Sequence, residues 1–219
     1  MDFIFLTQAP LFRGVSPGEA EAMLQCLGAT RRVYPKGARI YSAGEPVQAL
    51  GLVLSGSAQI ESNDVWGNRS LLDRIGPGQV FAETYALLTG EPLMVSVVAA
   101  EETTVLFLNV SRLLQPCSAA CAHHVRLIGN LLALTAQKNL ILSRRILHTS
   151  PKTIRSRLLS YLSDQALRQG SATFAIPFDR QQLADYLGVD RSALSHELGK
   201  MRTEGLIDFQ KNRFTLLIG

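Results

Sequence analysis

The 219-residue sequence has no apolar run long enough to span a bilayer, which takes about 20 residues in a helix. Its first residues, Met1 to Leu6, are apolar but have no basic leader, so they do not resemble a secretory signal. Cysteine is scarce and odd in number, with three residues in all, which argues against a disulfide framework. These absences predict a cytoplasmic protein.

The sequence also lacks the usual signatures of catalysis. Residues 1–113 contain no histidine, so a metal-dependent β-barrel enzyme of the cupin type would have no imidazole cage there. We find neither a Gly-rich phosphate loop nor a Ser/His/Asp order typical of a hydrolase. An enzyme is therefore not expected.

Positive charge is concentrated towards the C-terminus. The net charge is +4, but residues 144–219 carry 12 Lys and Arg against 7 Asp and Glu. Residues 1–143 carry 10 against 11. A basic C-terminal region is what binding to DNA phosphates would favour, because each contact releases counterions.

Residues 178–214 predict a winged helix-turn-helix. Asp179 and Gln182 have capping-box spacing and open a short helix, and Gly188 suits a tight turn. Asp190 then caps a second helix from about Arg191 to Glu204. The apolar faces of the two helices are Leu183, Ala184 and Leu187, then Leu194, Leu198 and Met201. Two short strands over residues 208–217 form the wing, which together with the helices indicates DNA binding.

The N-terminal half changes character along its length. Residues 9–29 are predicted to be helical, with Ser16 as N-cap and Pro17 in the first turn. From Arg31 to Val110 the pattern is one of short apolar segments separated by glycines. The predicted strands are 38–41, 51–54, 58–60, 70–72, 95–98 and 104–108. Many short strands with regular turn signals indicate a β-sandwich or barrel.

A helical pattern follows from Ser111 for some 35 residues and ends at Ser150-Pro151. A 4-3 spacing joins Cys121, His124, Ile128, Leu131, Thr135, Lys138, Leu142 and Arg145. A helix that is apolar over so much of its surface needs a partner, and a second copy of itself would give a twofold dimer. The alternative is a long helix buried against its own domain. After the break, residues 153–169 predict another helix, with Ile154, Leu158, Leu159 and Leu162 facing inward.

This arrangement resembles the Crp/Fnr superfamily of bacterial transcription regulators over nearly the whole chain. The matching residues are Tyr34 to Gly37, Gly44-Glu45, Leu54 to Gly56, Gly76 to Gly78, Phe81 to Glu83, Asp179 to Ala184, Leu187 to Arg191 and Met201 to Ile207. The resemblance implies an α+β fold in three parts. These are a jelly-roll (double-stranded β-helix) sensor of cyclic-nucleotide-binding type over residues 1–113, a dimerisation helix over 114–149 and a winged helix-turn-helix over 150–219.

The resemblance further implies a homodimer that binds an inverted repeat in double-stranded DNA, contacts RNA polymerase and responds to a small-molecule effector. The DNA contacts would come from Arg180, Arg191, Ser192, Ser195, His196 and Lys200. Among these, Arg191 is expected to read a base, whereas Arg180 and Lys200 are expected to touch phosphates. Ser192 stands where the cyclic-AMP-receptor branch has Glu, and His196 where Arg is usual, so the known half-sites of the family are not assumed.

The sensor departs from the cyclic-nucleotide-binding pattern. Binding members carry Gly-Glu-(Leu/Ile)-Ala and then an Arg that grips the phosphate, whereas this chain has Ala82-Glu83-Thr84-Tyr85 and then Pro92 to Ser96. No Lys or Arg lies between Arg74 and Arg112 to neutralise a phosphate, which would be costly to bury alone. We therefore do not expect cyclic AMP to bind. We expect either an apolar effector or a pocket that is filled by side chains. The candidate effector residues are Glu83, Thr84, Leu93, Met94, Lys138 and Asn139.

A second departure is Cys117, Cys121 and His124, which lie at i, i+4 and i+7 on one predicted helical face. They would either bind a metal or iron–sulfur cluster, act as a thiol switch, or simply allow tight packing at the start of the helix. Packing is favoured, because the spacing matches no iron–sulfur motif. A final alternative for the function of the whole chain is a DNA-binding protein whose affinity for DNA is not changed by any effector.

Overall fold

The computed structural model describes residues 2–63, 66, 69–88, 90–114 and 122–217. The chain divides into two compact units, Met1–Gln137 and Lys138–Gly219. No helix in the described ranges is both long and apolar enough to cross a membrane.

The first unit opens with helices that pack on its β-structure. They are α1 (Phe3–Gln8), a 3₁₀ turn (Pro10–Phe12) and α2 (Pro17–Cys26). The predicted start of α2 is confirmed. The Ser16 hydroxyl accepts a hydrogen bond from the Glu19 amide, and the Glu19 carboxylate accepts one from the Ser16 amide at 2.7 Å. Ala20 and Met23 of α2 are buried.

The rest of this unit is a β-sandwich of two four-stranded antiparallel sheets, in the orders β1-β8-β3-β6 and β2-β7-β4-β5. The strands are β1 (Thr30–Tyr34), β2 (Arg39–Tyr41), β3 (Ala49–Ser55), β4 (Ala58–Asn63), β5 (Arg69–Ile75), β6 (Val80–Phe81), β7 (Ser96–Ala99) and β8 (Thr103–Asn109). This confirms the predicted fold class. Helix α3 (Glu83–Leu87) follows β6, and α4 (Val110–Leu114) follows β8.

Two of these strands escaped the sequence analysis for different reasons. Strand β1 contains Thr30, Arg31 and Arg32, and it is exposed along most of its length, so no apolar alternation marks it. It forms because it pairs along β8 at the edge of its sheet. Strand β6 has only two residues, which is too short for any periodic pattern.

Buried side chains fill the space between the two sheets. They include Ile40, Val53, Ala58, Ile75, Phe81, Val97, Ala99, Val105 and Phe107. The Phe81 ring lies directly over Gly51, where a Cβ atom would come within 2.1 Å of the ring carbon Cζ. Gly51 is therefore required by the close approach of Phe81 and not by its own backbone angles.

Helix α5 (Ala122–Thr149) is the long predicted helix. The sequence predicted a helical pattern from Ser111; residues 111–114 lie in α4, and residues 115–121 lie outside the described residues. In the first unit, Leu127 and Leu131 are buried in the core with α1 and α2. A different face of α5 is exposed, and it includes Val125, Leu132, Leu142 and Ile146.

The second unit contains the last turns of α5, then α6 (Ile154–Gln169), β9 (Thr173–Ala175), α7 (Arg180–Leu187), α8 (Arg191–Thr203), β10 (Ile207–Gln210) and β11 (Arg213–Leu216). The strands form one antiparallel sheet in the order β10-β11-β9. The core of α6 confirms Leu158 and Leu162, but the prediction for Leu159 was wrong. Leu159 is partly exposed, and Tyr161 is buried instead, because the apolar face of α6 turns towards the aromatic side chains of the next helices.

We expect Gly51→Ala to destabilise the protein by about 1–3 kcal/mol, because the added methyl group must displace the Phe81 ring in a packed core. Urea denaturation followed by circular dichroism measures the change. Gly18→Ala in α2 is the matched control, since no heavy atom lies within 4 Å of the added Cβ. Its effect should stay within about 1 kcal/mol. Equal stabilities for the two variants would contradict the assigned role of Gly51.

Candidate nucleic-acid interface

The capping contacts that the sequence predicted are present at the start of both helices of the helix-turn-helix. At the start of α7, the Asp179 carboxylate accepts from the Gln182 amide at 2.8 Å, and the Gln182 side chain accepts from the Asp179 amide at 2.9 Å. Gly188 ends α7 with φ of +63°, which glycine adopts without strain. The Asp190 carboxylate then accepts from the Ala193 amide at 2.9 Å and starts α8. These contacts set the start of α7, its end at Gly188 and the start of α8.

Helix α8 has one buried face and one exposed face. Leu194, Leu198 and Met201 are fully buried in the core of the second unit, as predicted. The opposite face carries the polar residues that the sequence singled out, and all of them are exposed: Arg191, Ser192, Ser195, His196 and Lys200. The helix therefore presents a continuous row of polar side chains to solvent.

The two serines of this face already donate their protons within the protein. The Ser195 hydroxyl donates to the Arg191 carbonyl at 2.9 Å, and the Ser192 hydroxyl donates to the Asp190 carboxylate. The latter bond holds the pKa of Asp190 below its usual value. Both hydroxyls consequently face outward as hydrogen-bond acceptors.

Arg155 in the first turn of α6 holds the back of α8. Its Nε donates to Glu197 at 2.6 Å, while its two terminal nitrogens donate to Glu204 at 2.7 and 2.9 Å. The two-pronged geometry suits guanidinium and carboxylate. These bonds raise the pKa of Arg155 and lower the pKa of Glu204. Arg155 therefore ties α6 to two points along α8.

Arg157, two residues further along α6, holds the turn between α7 and α8. Its Nη1 donates to the carbonyls of Leu187 at 2.9 Å and Gly188 at 3.2 Å. Its Nε donates to the Pro151 carbonyl at 2.8 Å. Carbonyls at the end of a helix have no partner within the helix, so this guanidinium supplies one. It also ties the turn to the segment that follows α5.

The wing is fastened to the chain that precedes α7. The Ile176 amide donates to the Asn212 carbonyl at 2.9 Å, and the Asn212 side-chain amide donates back to the Ile176 carbonyl at 2.9 Å. Lys211 at the tip of the hairpin has φ of +54°, a conformation uncommon outside glycine. The paired bonds of Asn212 hold this tip in place.

Arg180 stacks on the wing. Its guanidinium carbon lies 4.8 Å from the ring centre of Phe209 and 5.2 Å from that of Phe214. Partial burial lowers the pKa of Arg180. The contacts position a cation at the start of α7, where the sequence predicted a phosphate contact. The aromatic support was not predicted, because nothing in the spacing of Arg180, Phe209 and Phe214 shows that they meet.

A groove of about 630 Å³ opens between α7, the start of α8 and the wing. It is lined by Pro177, Phe178, Asp179, Arg180, Gln181, Gln182, Arg191, Lys211 and Asn212. Three of these side chains, Arg180, Arg191 and Lys211, are cations, so the groove suits an anion such as a backbone phosphate. Sequence analysis missed Lys211 as a candidate, although its place in a predicted wing was a usable signal.

The candidate effector residues do not share one environment. In the first unit, Glu83 and Leu93 are buried, Thr84 is exposed, and Met94 is 77% exposed. In the second unit, Lys138 and Asn139 are exposed on α5. Leu93 belongs to the hydrophobic core that also contains Ala86 of α3.

The turn into α3 keeps an unusual backbone. Ala82 precedes the helix with φ of +58° and ψ of 12°, a left-handed conformation that costs an L-residue about 1–2 kcal/mol. The family pattern has glycine there, which has no such cost. The turn therefore survives the substitution, and it places Glu83 at the buried start of α3.

The candidate metal residues are only partly described. Cys117 and Cys121 lie outside the described residues. His124 is buried near the start of α5. Within the described ranges, no group of three or more His, Cys, Asp or Glu side chains is arranged to hold a metal ion.

Comparison with known proteins identifies relatives of both units. Residues 31–119 match the model of the cyclic nucleotide-binding domain, and residues 156–218 match the model of the Crp-like helix-turn-helix domain. The chain is 31% identical over 200 residues to the cyclic AMP receptor protein of Thermus thermophilus, covering 91% of this chain and 88% of that protein.

Solved structures agree on the fold. The catabolite activator protein of Thermus thermophilus is similar with a TM-score of 0.52 and 28% identity, covering 94% of this chain and 93% of the other. The c-di-GMP responsive global regulator of Xanthomonas campestris is similar with a TM-score of 0.54 and 19% identity, covering 93% of this chain and 100% of the other.

Proposed function

Because the chain belongs to the Crp/Fnr superfamily of bacterial transcription regulators, we propose that it is a cytoplasmic homodimer that binds an inverted repeat and regulates transcription with RNA polymerase. The single observation that carries this proposal is the exposed polar face of α8 beside a groove lined by Arg180, Arg191 and Lys211. A recognition helix with flanking cations is the usual arrangement for reading the major groove of DNA.

The residues of this surface divide into two roles. Arg191 at the start of α8 reads a base, since arginine can donate two hydrogen bonds to guanine. Ser192, Ser195 and His196 lie along the same exposed face and contact neighbouring base edges. The phosphate contacts come from Arg180, Lys200 and Lys211, which set the register of the protein on DNA without reading the sequence.

The exposed face of α5 supports a twofold dimer. Val125, Leu132 and Ile146 are spaced by 7 and 14 residues, so they lie on one face of α5, and each is more than 60% exposed. Gly129, Ala136 and Ser143 lie between them on the same face and are small and exposed. Small residues between larger apolar ones let two helices approach closely, so this face fits a second copy of α5. A twofold axis would also bring two copies of α8 to the two halves of an inverted repeat.

The controlling signal is proposed to be something other than a cyclic nucleotide, despite the family of the sensor domain. Residues 75–111 contain no Lys or Arg. The two arginines that flank this range, Arg74 and Arg112, make contacts with other residues. Arg74 donates to the Ser57 hydroxyl at 2.9 Å and contacts Glu101 at 3.4 Å, while the Arg112 guanidinium packs over Gly28. A cyclic phosphate beside Glu83 would therefore lack a cation from the segment that supplies one in cyclic-nucleotide-binding members of the family.

Three modes of control remain. An uncharged ligand binds near Glu83, a metal or redox change acts through Cys117, Cys121 and His124, or the protein binds DNA without an effector.

The two roles on the DNA surface are separable by mutation. We expect Arg191→Ala to weaken binding to a selected operator by about 1–3 kcal/mol and to leave non-specific binding nearly unchanged, because a base contact is lost. Lys211→Ala, a matched loss of one cation from the same groove, should weaken both kinds of binding equally and reduce the salt dependence by about one ion. Fluorescence anisotropy at several salt concentrations measures both. Failure of a random-DNA selection to yield any preferred sequence would contradict the proposal.

The dimer surface is testable by charge insertion. We expect Leu132→Glu to convert the protein to a monomer at micromolar concentration, because two buried carboxylates would face each other across the twofold axis. Sedimentation equilibrium measures the mass. Gln137→Glu adds the same charge on a different exposed side of α5 and should leave the dimer intact. A native protein that is itself monomeric would contradict the assignment.

We expect cyclic AMP and cyclic GMP at millimolar concentration to leave the unfolding temperature of the native chain unchanged, because a ligand that does not bind cannot stabilise the fold. A thermal-shift titration provides the measurement. A saturable stabilisation that disappears in Glu83→Gln would show that Glu83 holds a ribose hydroxyl, and it would overturn this part of the proposal. Metal analysis of anaerobically purified protein, beside the Cys117→Ser, Cys121→Ser double variant, distinguishes metal control from the other two modes.

A further inference from the structure

A cleft opens at the edge of the β-sandwich, where β1 and β2 are the edge strands of the two sheets. Its volume is about 420 Å³, within the range of about 300–1,000 Å³ that is usual for small-molecule pockets. The walls come from β1, β2, the segment that leads into β3, and β8. None of the six candidate effector residues, all of which the structure describes, lines this cleft, so it is distinct from the pocket expected beside Glu83.

Strand alternation directs Arg32 into the cleft and Arg31 away from it. On β1, Arg32 is paired with Val105 of β8, and Arg31 is paired with Leu106. Directly opposite residues of antiparallel strands share a face of the sheet, and successive residues alternate between the faces. Val105 belongs to the core between the two sheets, whereas Leu106 belongs to the core that contains α1 and α2. Arg32 therefore faces the space between the sheets.

The floor of the cleft is aromatic and apolar. The Phe107 ring is buried, and the guanidinium carbon of Arg32 lies 5.9 Å from its centre. The rings of Tyr34 and Tyr41 meet the Phe107 ring edge to face, with centres 6.3 and 5.6 Å away. Ile40, which is also buried, completes the floor. A flat hydrocarbon group can therefore pack on this floor while a charged end reaches Arg32.

The charge of Arg32 is available to a ligand. Among the described residues, no carboxylate lies within ion-pair distance of Arg32, whose contact is with the Phe107 ring. The one carboxylate in the described lining is that of Glu45, and it accepts a hydrogen bond from the Ser42 amide at 3.3 Å within the turn between β2 and β3. A guanidinium can donate two parallel hydrogen bonds to a carboxylate, so Arg32 suits an acid.

The polar groups around Arg32 are compatible with an anion. The Tyr41 hydroxyl donates to a carbonyl of β3 at 2.8 Å. Burial raises the pKa of Tyr41 to about 12; Tyr34 adds to this shift, and Arg32 opposes it. The Tyr41 hydroxyl therefore stays neutral and places no negative charge in the cleft. On β8, the Asn109 side-chain oxygen accepts from the Arg112 amide at 3.1 Å, which leaves the Asn109 NH₂ group as a donor at the cleft.

We propose that this cleft binds a small organic acid, with its carboxylate on Arg32 and its apolar body against Phe107, Tyr34 and Tyr41. A single cation matches a monoanion better than a phosphate dianion. The aromatic floor selects a flat apolar body, which neither acetate nor an acidic side chain of another protein has. The site does not depend on the proposed DNA-binding function, and it is separate from the three modes of control proposed for DNA binding.

The test is an NMR titration of the full chain with phenylacetate, which follows the Nε–H signals of the arginine side chains. We expect saturable binding of one phenylacetate per chain with a Kd below about 10 mM. The signal of Arg32, assigned by its loss in Arg32→Gln, should shift as the ligand binds. Arg32→Gln should weaken binding by about tenfold, because a charge-assisted pair of hydrogen bonds is lost.

Three further variants isolate the role of Arg32. Arg31→Gln is the matched control, because it removes the same charge from the neighbouring position, which faces the other side of the sheet. It should leave the Kd within about twofold of the native value. Arg32→Lys keeps the charge without the planar pair of donors, so its affinity should lie between those of native protein and Arg32→Gln. Glu45→Gln removes the carboxylate of the lining and should tighten binding.

A set of ligands separates the two halves of the proposed recognition. 2-Phenylethanol has the apolar body of phenylacetate without its charge, whereas acetate and inorganic phosphate have a charge without an apolar body. Each should bind at least about tenfold more weakly than phenylacetate, because it makes only one of the two contacts. Hexanoate and indole-3-acetate are acids with other apolar bodies.

Several outcomes would overturn the proposal. One is the absence of saturable binding by phenylacetate, hexanoate and indole-3-acetate up to about 10 mM. Another is equal binding of phenylacetate and 2-phenylethanol, acetate or phosphate. A third is an equal loss of affinity in Arg32→Gln and Arg31→Gln, with circular dichroism confirming that both variants are folded. DNA is not present in this titration, so failure of the organic-acid site and failure of the proposed DNA-binding function are separate results.

Discussion

The recognition helix depends on two arginines that precede it by more than thirty residues in the sequence. Arg155 binds Glu197 and Glu204 on the back of α8, and Arg157 binds the carbonyls at the turn before it. A guanidinium stays charged throughout the physiological pH range, so deprotonation of the arginines does not remove these contacts. The exposed face of α8 can carry any residues that DNA requires, because its position is fixed from the buried side.

The sensor domain combines a retained fold with altered chemistry. The sandwich, the turn at Ala82 and the buried start of α3 are all present, and Ala82 holds a left-handed backbone that glycine would adopt more easily. What has changed is the charge, because Leu93 joins the core and no cation lies between Arg74 and Arg112. The backbone of such a domain depends on packing, whereas the choice of ligand depends on a few polar groups. The fold can therefore persist when those polar groups change.

The features that were predicted correctly from the sequence are those set by residues close together in the chain. The capping residues Asp179 and Asp190, the turn at Gly188 and the apolar face of α8 act over a few residues, so they are legible in the chain. The sequence did not reveal contacts between distant residues, such as Arg155 with Glu197, Arg180 with the wing rings, or His148 with Tyr186. Each depends on tertiary packing. Leu159 was misplaced for the same reason, because Tyr161 occupies the inward position on α6.

The bond from Arg157 to the Pro151 carbonyl has a mechanical consequence. Helix α8 has 13 residues, so it is a lever about 20 Å long that pivots near the turn held by Arg157. A rotation of about 10° at that pivot displaces the far end by about 3.4 Å, which is the rise of one base pair. Alignment with a DNA sequence therefore tolerates an angular error of only a few degrees. Arg157, which binds both the turn before α8 and the Pro151 carbonyl, is together with Arg155 among the contacts that oppose such a rotation.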